Sequence, residues 1–348
     1  MLRAALVTPL SGPLAGYGRA GAKALRLWAE WETGPVELTV VDAHPDPAAA
    51  VRAAEGQADV LFGPYGSGPT VAVADATDRL VWNHGGATVG GDRHVVSVLA
   101  PASSYFEGAL QVVQQADPGL RDVTVLHHDS GFGRAVAAGA AAEAGRLGLE
   151  VAQRSLPGAE PVNGELLLVA GRFGDEVAVA RRVPTGRWRA AAFVGAGVEE
   201  VLAELGVLRE GLLGPAQWLP RAAPRPDVGP TAAEFVAAYR AAAGVEPPYP
   251  AAQAFAAGLV AARCVRRAGA ADDAAVLAAA RKLECTTLFG RFRLDPASGR
   301  QVGHRVLTVQ WQDGARTVVG PPERAQAALR YPLAQRRYGA TVPRCGGG

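Results

Sequence analysis

The chain is poor in lysine. Only Lys23 and Lys282 occur among 348 residues, and arginine carries almost all the remaining positive charge. With 35 basic and 33 acidic side chains the formal charge is +2. No basic run interleaves with aromatics, so nothing in the composition points to a nucleic-acid partner. The cysteines, Cys264, Cys285 and Cys345, are odd in number and contain no close pair, which excludes a zinc ribbon or a CxxC redox centre. Cys264 lies in an alanine-rich stretch and reads as a small buried side chain, while a pairing of Cys285 with Cys345 stays open. No apolar stretch is long enough to span a bilayer. Nor does the N-terminus show a basic region, an apolar run and a small-residue cleavage site; it enters strand-like sequence at Leu2. Two expectations follow: a cytoplasmic protein, or one whose export signal is absent from this chain. Catalytic constellations are missing too. The histidines are scattered, no G-x-S-x-G elbow surrounds Ser67, and there are no paired acids or phosphate-binding lysine. His127, His128 and Asp129 alternate across a strand and cannot share one ion. The expectation is a binding protein with no enzymatic activity, metal or cofactor.

What the chain does have is apolar content, 49% of residues, and enough length for two α/β lobes. Strand and helix patterns alternate from the start: Leu2–Thr8, Gly18–Trp31, Val36–Val41, Pro47–Glu55, Asp59–Phe62, a helix over Val71–Trp82, and a short strand within Gly85–Gly91 running into a glycine loop. This order predicts a parallel sheet covered by helices on both faces. Val95–Pro101 reads as a crossing segment, after which the pattern restarts. Helix Tyr105–Gln115, strand Val123–His127 and helix Phe132–Leu147 lead to strands Leu149–Gln153 and Leu166–Ala170. Helix Asp175–Val183, strand Ala190–Val194 and helix Val198–Leu205 close that half. Trp218–Pro230 reads as a second crossing. Helices Thr231–Ala243, Ala251–Ala268 and Asp272–Leu283 follow, then strands Phe289–Leu294 and His304–Gln312, and a surface tail.

Phe62-Gly-Pro-Tyr65-Gly66-Ser67-Gly68-Pro-Thr70 is a glycine-rich turn from a buried strand into a helix. Such a turn aims unpaired N–H groups outward with the positive end of the helix dipole behind them, a ready anion site. Ser67 either adds a ligand-binding hydroxyl or caps its own helix, and the local pattern leaves both open. Gly16-Tyr17-Gly18-Arg19-Ala20-Gly21 matches G-x-G-x-x-G, with Asp42 about twenty residues on. In a dinucleotide site those glycines follow the first strand directly; here Pro9–Ala15 intervenes, so an NAD(P)-dependent oxidoreductase is only an outlying alternative. Gly195-Ala-Gly197-Val198-Glu199-Glu200 is either a helix start with two acids or a loop facing a ligand.

Taken in order, these motifs resemble the type I solute-binding proteins of ABC uptake systems, in the branched-chain amino acid and amide (Leu/Ile/Val-binding) family. Thr8–Gly18 is similar to that family's opening loop, Asp42 with Asp46-Pro47-Ala48 to its acidic segment, and Gly63–Gly68 to its "GP..S" turn. Asp129–Arg134 is similar to its "D..YG" turn, with Phe132 in place of tyrosine. Glu234–Arg240, Tyr249–Phe255, Phe289–Phe292 with Asp295, and Val309–Gly314 complete the likeness.

The resemblance implies two Rossmann-like lobes joined by a three-segment hinge, with residues 1–101 plus 219–299 in the first and 102–218 plus 300–325 in the second, and 326–348 as a surface tail. It implies a small-molecule ligand in an interlobe cleft, delivered to ABC permease subunits outside the cytoplasm; a cytoplasmic amide sensor is the alternative. It assigns the ligand's carboxylate to Ser67 with Tyr65 and Gly66, a cover to Tyr17, contacts to Thr88, Gly90 and Gly91, and closure to Phe132 and Phe173. Gly197, Val198 and Glu199 occupy the loop that carries the family's amine-binding acid. The departures at Phe132 and in this loop suggest an apolar or aromatic carboxylate, or an amide, in place of a zwitterion.

Overall fold

A computed structural model describes residues 1–91, 94–157, 164–183 and 188–333. The chain divides into two compact units, Met1–Ser104 with Gln217–Val306, and Tyr105–Ala216 with Leu307–Gly348.

The first unit opens with β1 (Leu2–Thr8), α1 (Ala15–Trp31), β2 (Val36–Asp42), α2 (Pro47–Glu55), β3 (Val60–Phe62), α3 (Ser67–Ala74), β4 (Val81–Asn83) and β5 (Val95–Ser97). The second runs through α4 (Glu107–Ala116), β6 (Asp122–His128), α5 (Gly131–Arg146), β7 (Glu150–Leu156), β8 (Leu166–Ala170), α6 (Phe173–Ala180), β9 (Ala190–Phe193) and β10 (Leu213–Ala216). α7 (Ala232–Ala243), α8 (Tyr249–Ala268), α9 (Asp273–Lys282) and the hairpin β11 (Glu284–Thr286) and β12 (Arg291–Arg293) belong to the first unit again. β13 (Leu307–Gln312) and β14 (Ala315–Gly320) complete the second.

The first sheet is wholly parallel, ordered β2-β1-β3-β4-β5. The second is ordered β14-β13-β10-β9-β8-β6-β7, with its five earlier strands parallel and the last two antiparallel. Each parallel part is doubly wound, and its order reverses beside its first strand, between β1 and β3 and between β6 and β8. Ligands of open α/β sheets bind at the carboxyl ends of the strands at such a point.

Local chemistry explains the frame. Asp46, Ser130, Thr231 and Asp272 cap α2, α5, α7 and α9 through side-chain bonds to first-turn N–H groups. α1 and α8 lie together on the first sheet. Trp28 of α1 is fully buried against Phe62, ring centroids 5.4 Å apart, a burial worth about 2–3 kcal/mol. Gly258 of α8 makes room, since a Cβ there would lie 2.4 Å from the indole.

Several segments depart from the sequence reading. α3 stops at Ala74, and Val81–Asn83 is a strand where a helix to Trp82 was expected. Leu80, Val81 and Trp82 are all buried, and sheet burial outweighs local pattern there. Gly85–Gly91 is loop, with a single bridge from Gly85 to Tyr65 among the described residues. Val95–Ser97, expected as crossing, is the fifth strand. Val198–Leu205 is not an α-helix: short 3-10 turns occupy Val194–Gly197 and Ala203–Arg209, the second broken at Gly206 with φ +50°. β10, Leu-Gly-Pro-Ala, carries no strand signal because its glycine and proline disfavour strand, yet it is buried between β9 and β13.

The sequence reading drew the third boundary at 299/300, whereas the first unit runs on to Val306. Gln301 donates to Val98 O (3.2 Å), His304 Nε2 bonds Gln217 O (3.0 Å), and the His304 ring stacks on Phe289. Of the expected tail, residues 334–348 lie outside the described residues. Residues 326–333 are tied to the second unit, with Gln310 bonding Arg330 at both ends of its amide and Leu333 N–H donating to Arg189 O. Cys345 also lies outside the described residues; Cys264 and Cys285 are buried free thiols, each pushed up to about 12 by burial. Among the described residues no helix is long and apolar enough to cross a membrane.

Candidate functional site

The first unit gathers its candidate residues at the β1/β3 reversal. Gly66, with φ +102°, is the N-cap of α3, and no side chain caps the helix. Ser67 is therefore the first helical residue and not its own cap. The first intrahelical bond runs from Thr70 N–H to Gly66 O, 3.0 Å. The N–H groups of Ser67 and Gly68 precede it and point out of the helix end, while Pro69 has none. Thr70 fixes the turn from below, its hydroxyl donating to Pro64 O (3.1 Å) and Gly66 O (2.8 Å).

Three tyrosines stand beside this turn. Tyr17, from the first turn of α1, stacks on Tyr65 with centroids 4.7 Å apart and planes at 24°. Tyr249, at the start of α8, meets both rings edge-on or tilted, at 6.3 and 6.5 Å, and its hydroxyl bonds that of Tyr65. In the sequence Tyr249 reads only as part of a late helix. Its neighbour Tyr65 is 184 residues away in sequence, so no local signal marks it.

Thr88, Gly90 and Gly91 lie on the adjoining loop, which Asn83 organises. Its wholly buried amide donates to Gly86 O (2.8 Å), Val89 O (3.2 Å) and Ser97 Oγ (2.7 Å), and its carbonyl accepts from the Gly85 and Gly86 N–H groups (3.1 and 2.8 Å). Gly90 and Gly91 both have positive φ, +150° and +82°, a conformation that favours glycine. Beneath lies His84, fully buried; neither ring nitrogen has a hydrogen-bond partner among the described residues, and burial pulls its pKa down to about 4.

The dinucleotide fingerprint is taken up by packing. Gly16 to Gly21 all lie inside α1. A Cβ at Gly18 would meet Pro9 O at 1.8 Å, so this glycine seats the helix on the loop after β1. Asp42 holds that loop, accepting from Leu10 N–H (2.8 Å), His44 N–H (3.0 Å) and Ser11 Oγ (2.7 Å). These bonds, the His44 amide foremost, hold its carboxyl down to about 2.

In the second unit, Phe132 starts α5 after β6 and meets Tyr105 edge-on at 5.5 Å; Phe173 starts α6 after β8 and is 43% exposed. The loop after β9 carries Gly197, Val198 and Glu199. Gly197 O accepts from Arg316, Ala196 O from the Trp311 indole (3.0 Å), and Val198 N–H donates to Gly195 O (3.0 Å). Glu199 is half exposed and ion-paired to Arg316 at 2.9 Å. The acid that does lie against this loop is one the sequence reading passed over. Glu176, wholly buried in the first turn of α6, accepts from Gly171 N–H (3.1 Å) and Gly195 N–H (2.6 Å). Burial pushes its carboxyl up to about 8, against the two N–H bonds. Its neighbour Asp175 has a buried Oδ2 without a hydrogen-bond partner among the described residues.

Residues 2–161 and 185–316 match the family described as periplasmic binding protein. The fold is similar to that of a putative branched-chain amino acid ABC transporter protein from Silicibacter pomeroyi (15% identity, 95% of this chain and 99% of that one covered, TM-score 0.77). It is similar to the leucine binding protein LivK from Thermotoga maritima (18% identity, 91% and 97% covered, TM-score 0.73). A solute binding protein of an ABC transporter from Rhodopseudomonas palustris, solved with 3,4-dihydroxybenzoic acid, also matches (16% identity, 90% and 94% covered, TM-score 0.72). At such identities these likenesses speak to fold alone.

Proposed function

The chain belongs to the periplasmic binding protein family, and on that premise we propose that it captures a small apolar or aromatic carboxylate and delivers it to an ABC importer outside the cytoplasm. The observation that carries this reading is the turn Gly66-Ser67-Gly68. It offers two outward N–H groups, a hydroxyl not spent on capping and a helix N-terminus, beside the stacked rings of Tyr17 and Tyr65. An anion is stabilised by the first set, and a flat apolar body by the second. Thr88, Gly90 and Gly91 lie on the loop that follows Gly85, whose carbonyl accepts from the Gly66 N–H (3.0 Å). In the second unit Phe132 and Phe173 lie at the starts of α5 and α6, at the carboxyl ends of β6 and β8, where open α/β sheets bind their ligands. Glu199 is engaged by Arg316, which favours a ligand without an ammonium group. The relative solved with a dihydroxybenzoate has a ligand of the proposed class.

A second reading, an amino acid ligand, is favoured by one observation, the buried Oδ2 of Asp175, which has no hydrogen-bond partner among the described residues. A thermal-shift panel of benzoate, hydroxybenzoates, leucine, valine, short amides and NAD(H) separates the cases. A ligand at a hundred times its dissociation constant stabilises by about 2.7 kcal/mol. A shift with aromatic acids supports the proposal. A shift with leucine or valine alone moves the assignment to amino acids, and one with NAD(H) alone contradicts both.

A further inference from the structure

We propose that Glu176 is the positioning residue of the second unit's ligand loop, a carboxyl staple that sets the turn Val194–Gly197 against the end of β8. Gly171 is the first residue past β8, and Gly195 is the second past β9. These strands are neighbours, and one carboxyl group spans their ends, Oε1 on one amide and Oε2 on the other. A carboxyl group suits this place because both its oxygens can accept, the hydroxyl oxygen of the neutral form included. Glutamine offers one, and its NH₂ would face the second N–H. Aspartate is a methylene short.

The loop is built around this contact. A Cβ at Gly195 would lie 2.6 Å from Glu176 Oε2 and 2.4 Å from Val201 Cγ1, so only glycine permits the approach. Further along, the Trp311 indole and Arg316 hold the carbonyls of Ala196 and Gly197. The turn is thus gripped at three successive residues, by an acceptor on the first and donors on the next two. Glu176 is the grip that comes from α6, the helix that begins with Phe173. It therefore ties the place of that ring to the place of the Gly197–Val198 backbone. The staple rests on the reading above for its role, since it matters for binding only if those residues face the ligand.

The test joins a ligand titration to a spectroscopic signature. Burial keeps the carboxyl mostly neutral near pH 7, so the neutral isostere Glu176→Gln folds. Asp175 is the ionisable side chain whose charge acts on it. In the wild-type protein the Gly171 and Gly195 amide protons shift together across a titration centred near pH 8, and in Glu176→Gln neither does. Benzoate and leucine are titrated into wild type, Glu176→Gln, Gly195→Ala and the double variant. The expected result is an affinity up to about tenfold lower in Glu176→Gln, the loss of one buried hydrogen bond, and non-additive losses in the double variant because both changes break one contact. Equal affinity in wild type and Glu176→Gln, or glycine amides that do not titrate, overturns the staple while leaving the functional reading intact. Failure of both probes to bind wild type overturns the functional reading, and the amide titration then decides the staple by itself.

Discussion

Replacing Asn83 by alanine tests how the loop bearing Thr88, Gly90 and Gly91 is held. Asn83 is wholly buried, and its side chain is the acceptor for the Gly85 and Gly86 amides. Gly86 is itself buried, so Asn83→Ala leaves at least one buried N–H without a partner, at about 1–3 kcal/mol. The freed oxygens of Gly86, Val89 and Ser97 lose a donor as well, and the truncated side chain leaves a void. A total near 3 kcal/mol follows, read as a lower urea midpoint at unchanged slope. Asn83→Asp sharpens the test. It keeps the acceptor for both amides but sets a carboxylate against Gly86 O and Val89 O, which favours the protonated form and raises its folded pKa. Such an acid holds its proton longer in the folded state, so the deficit of Asn83→Asp grows as pH rises above about 4. A loss below about 0.5 kcal/mol in Asn83→Ala, within the range of ordinary surface changes, or a deficit in Asn83→Asp independent of pH, would refute this account of the loop.

The glycines of the apparent fingerprint separate in the same assay. Gly18→Ala drives a Cβ into Pro9 O and costs about 1–3 kcal/mol, whereas Gly16→Ala meets nothing within 4 Å and stabilises α1 by up to about 1 kcal/mol; equal effects would count against the packing role. Wild-type stability has opposed pH slopes. His84, pulled down to about 4, makes stability fall as pH drops from about 6.5 towards 4, because the unfolded chain takes up the proton first. Glu176, pushed up to about 8, makes stability fall as pH rises from about 4.5 to 8, because the folded chain keeps the proton. Urea midpoints across that range flatten on the alkaline side in Glu176→Gln, and an unchanged slope would show that Glu176 does not titrate as described.

Much of this arrangement is legible in the sequence because it is local. The alternation from Leu2 to Phe62 and the turn at Gly63–Gly68 are carried by neighbouring residues, and the glycine-rich turn is visible in the sequence as a candidate anion site. What is not legible depends on contacts across the chain. Tyr249 joins Tyr17 and Tyr65 only once α8 lies beside α1. Glu176 reads as an ordinary acid in a first helical turn, and its partner Gly195 is nineteen residues away. Val81–Asn83 looks helical beside α3 and becomes strand because its burial in the sheet outweighs that pattern. The region after Gly197 misleads in the opposite sense, since Val198–Leu205 has helical spacing but is interrupted by 3-10 turns.

The central claim is that the Gly66-Ser67-Gly68 turn receives a carboxylate. Calorimetric titration of benzoate and of benzamide, a pair that differs in charge at nearly constant shape, into wild type and Ser67→Ala tests it directly. The account expects benzoate to bind wild type at least about tenfold more tightly than benzamide, and Ser67→Ala to lose about one hydrogen bond to a charged group, again about tenfold. Equal affinity for the acid and the amide, or benzoate binding untouched in Ser67→Ala, would contradict it.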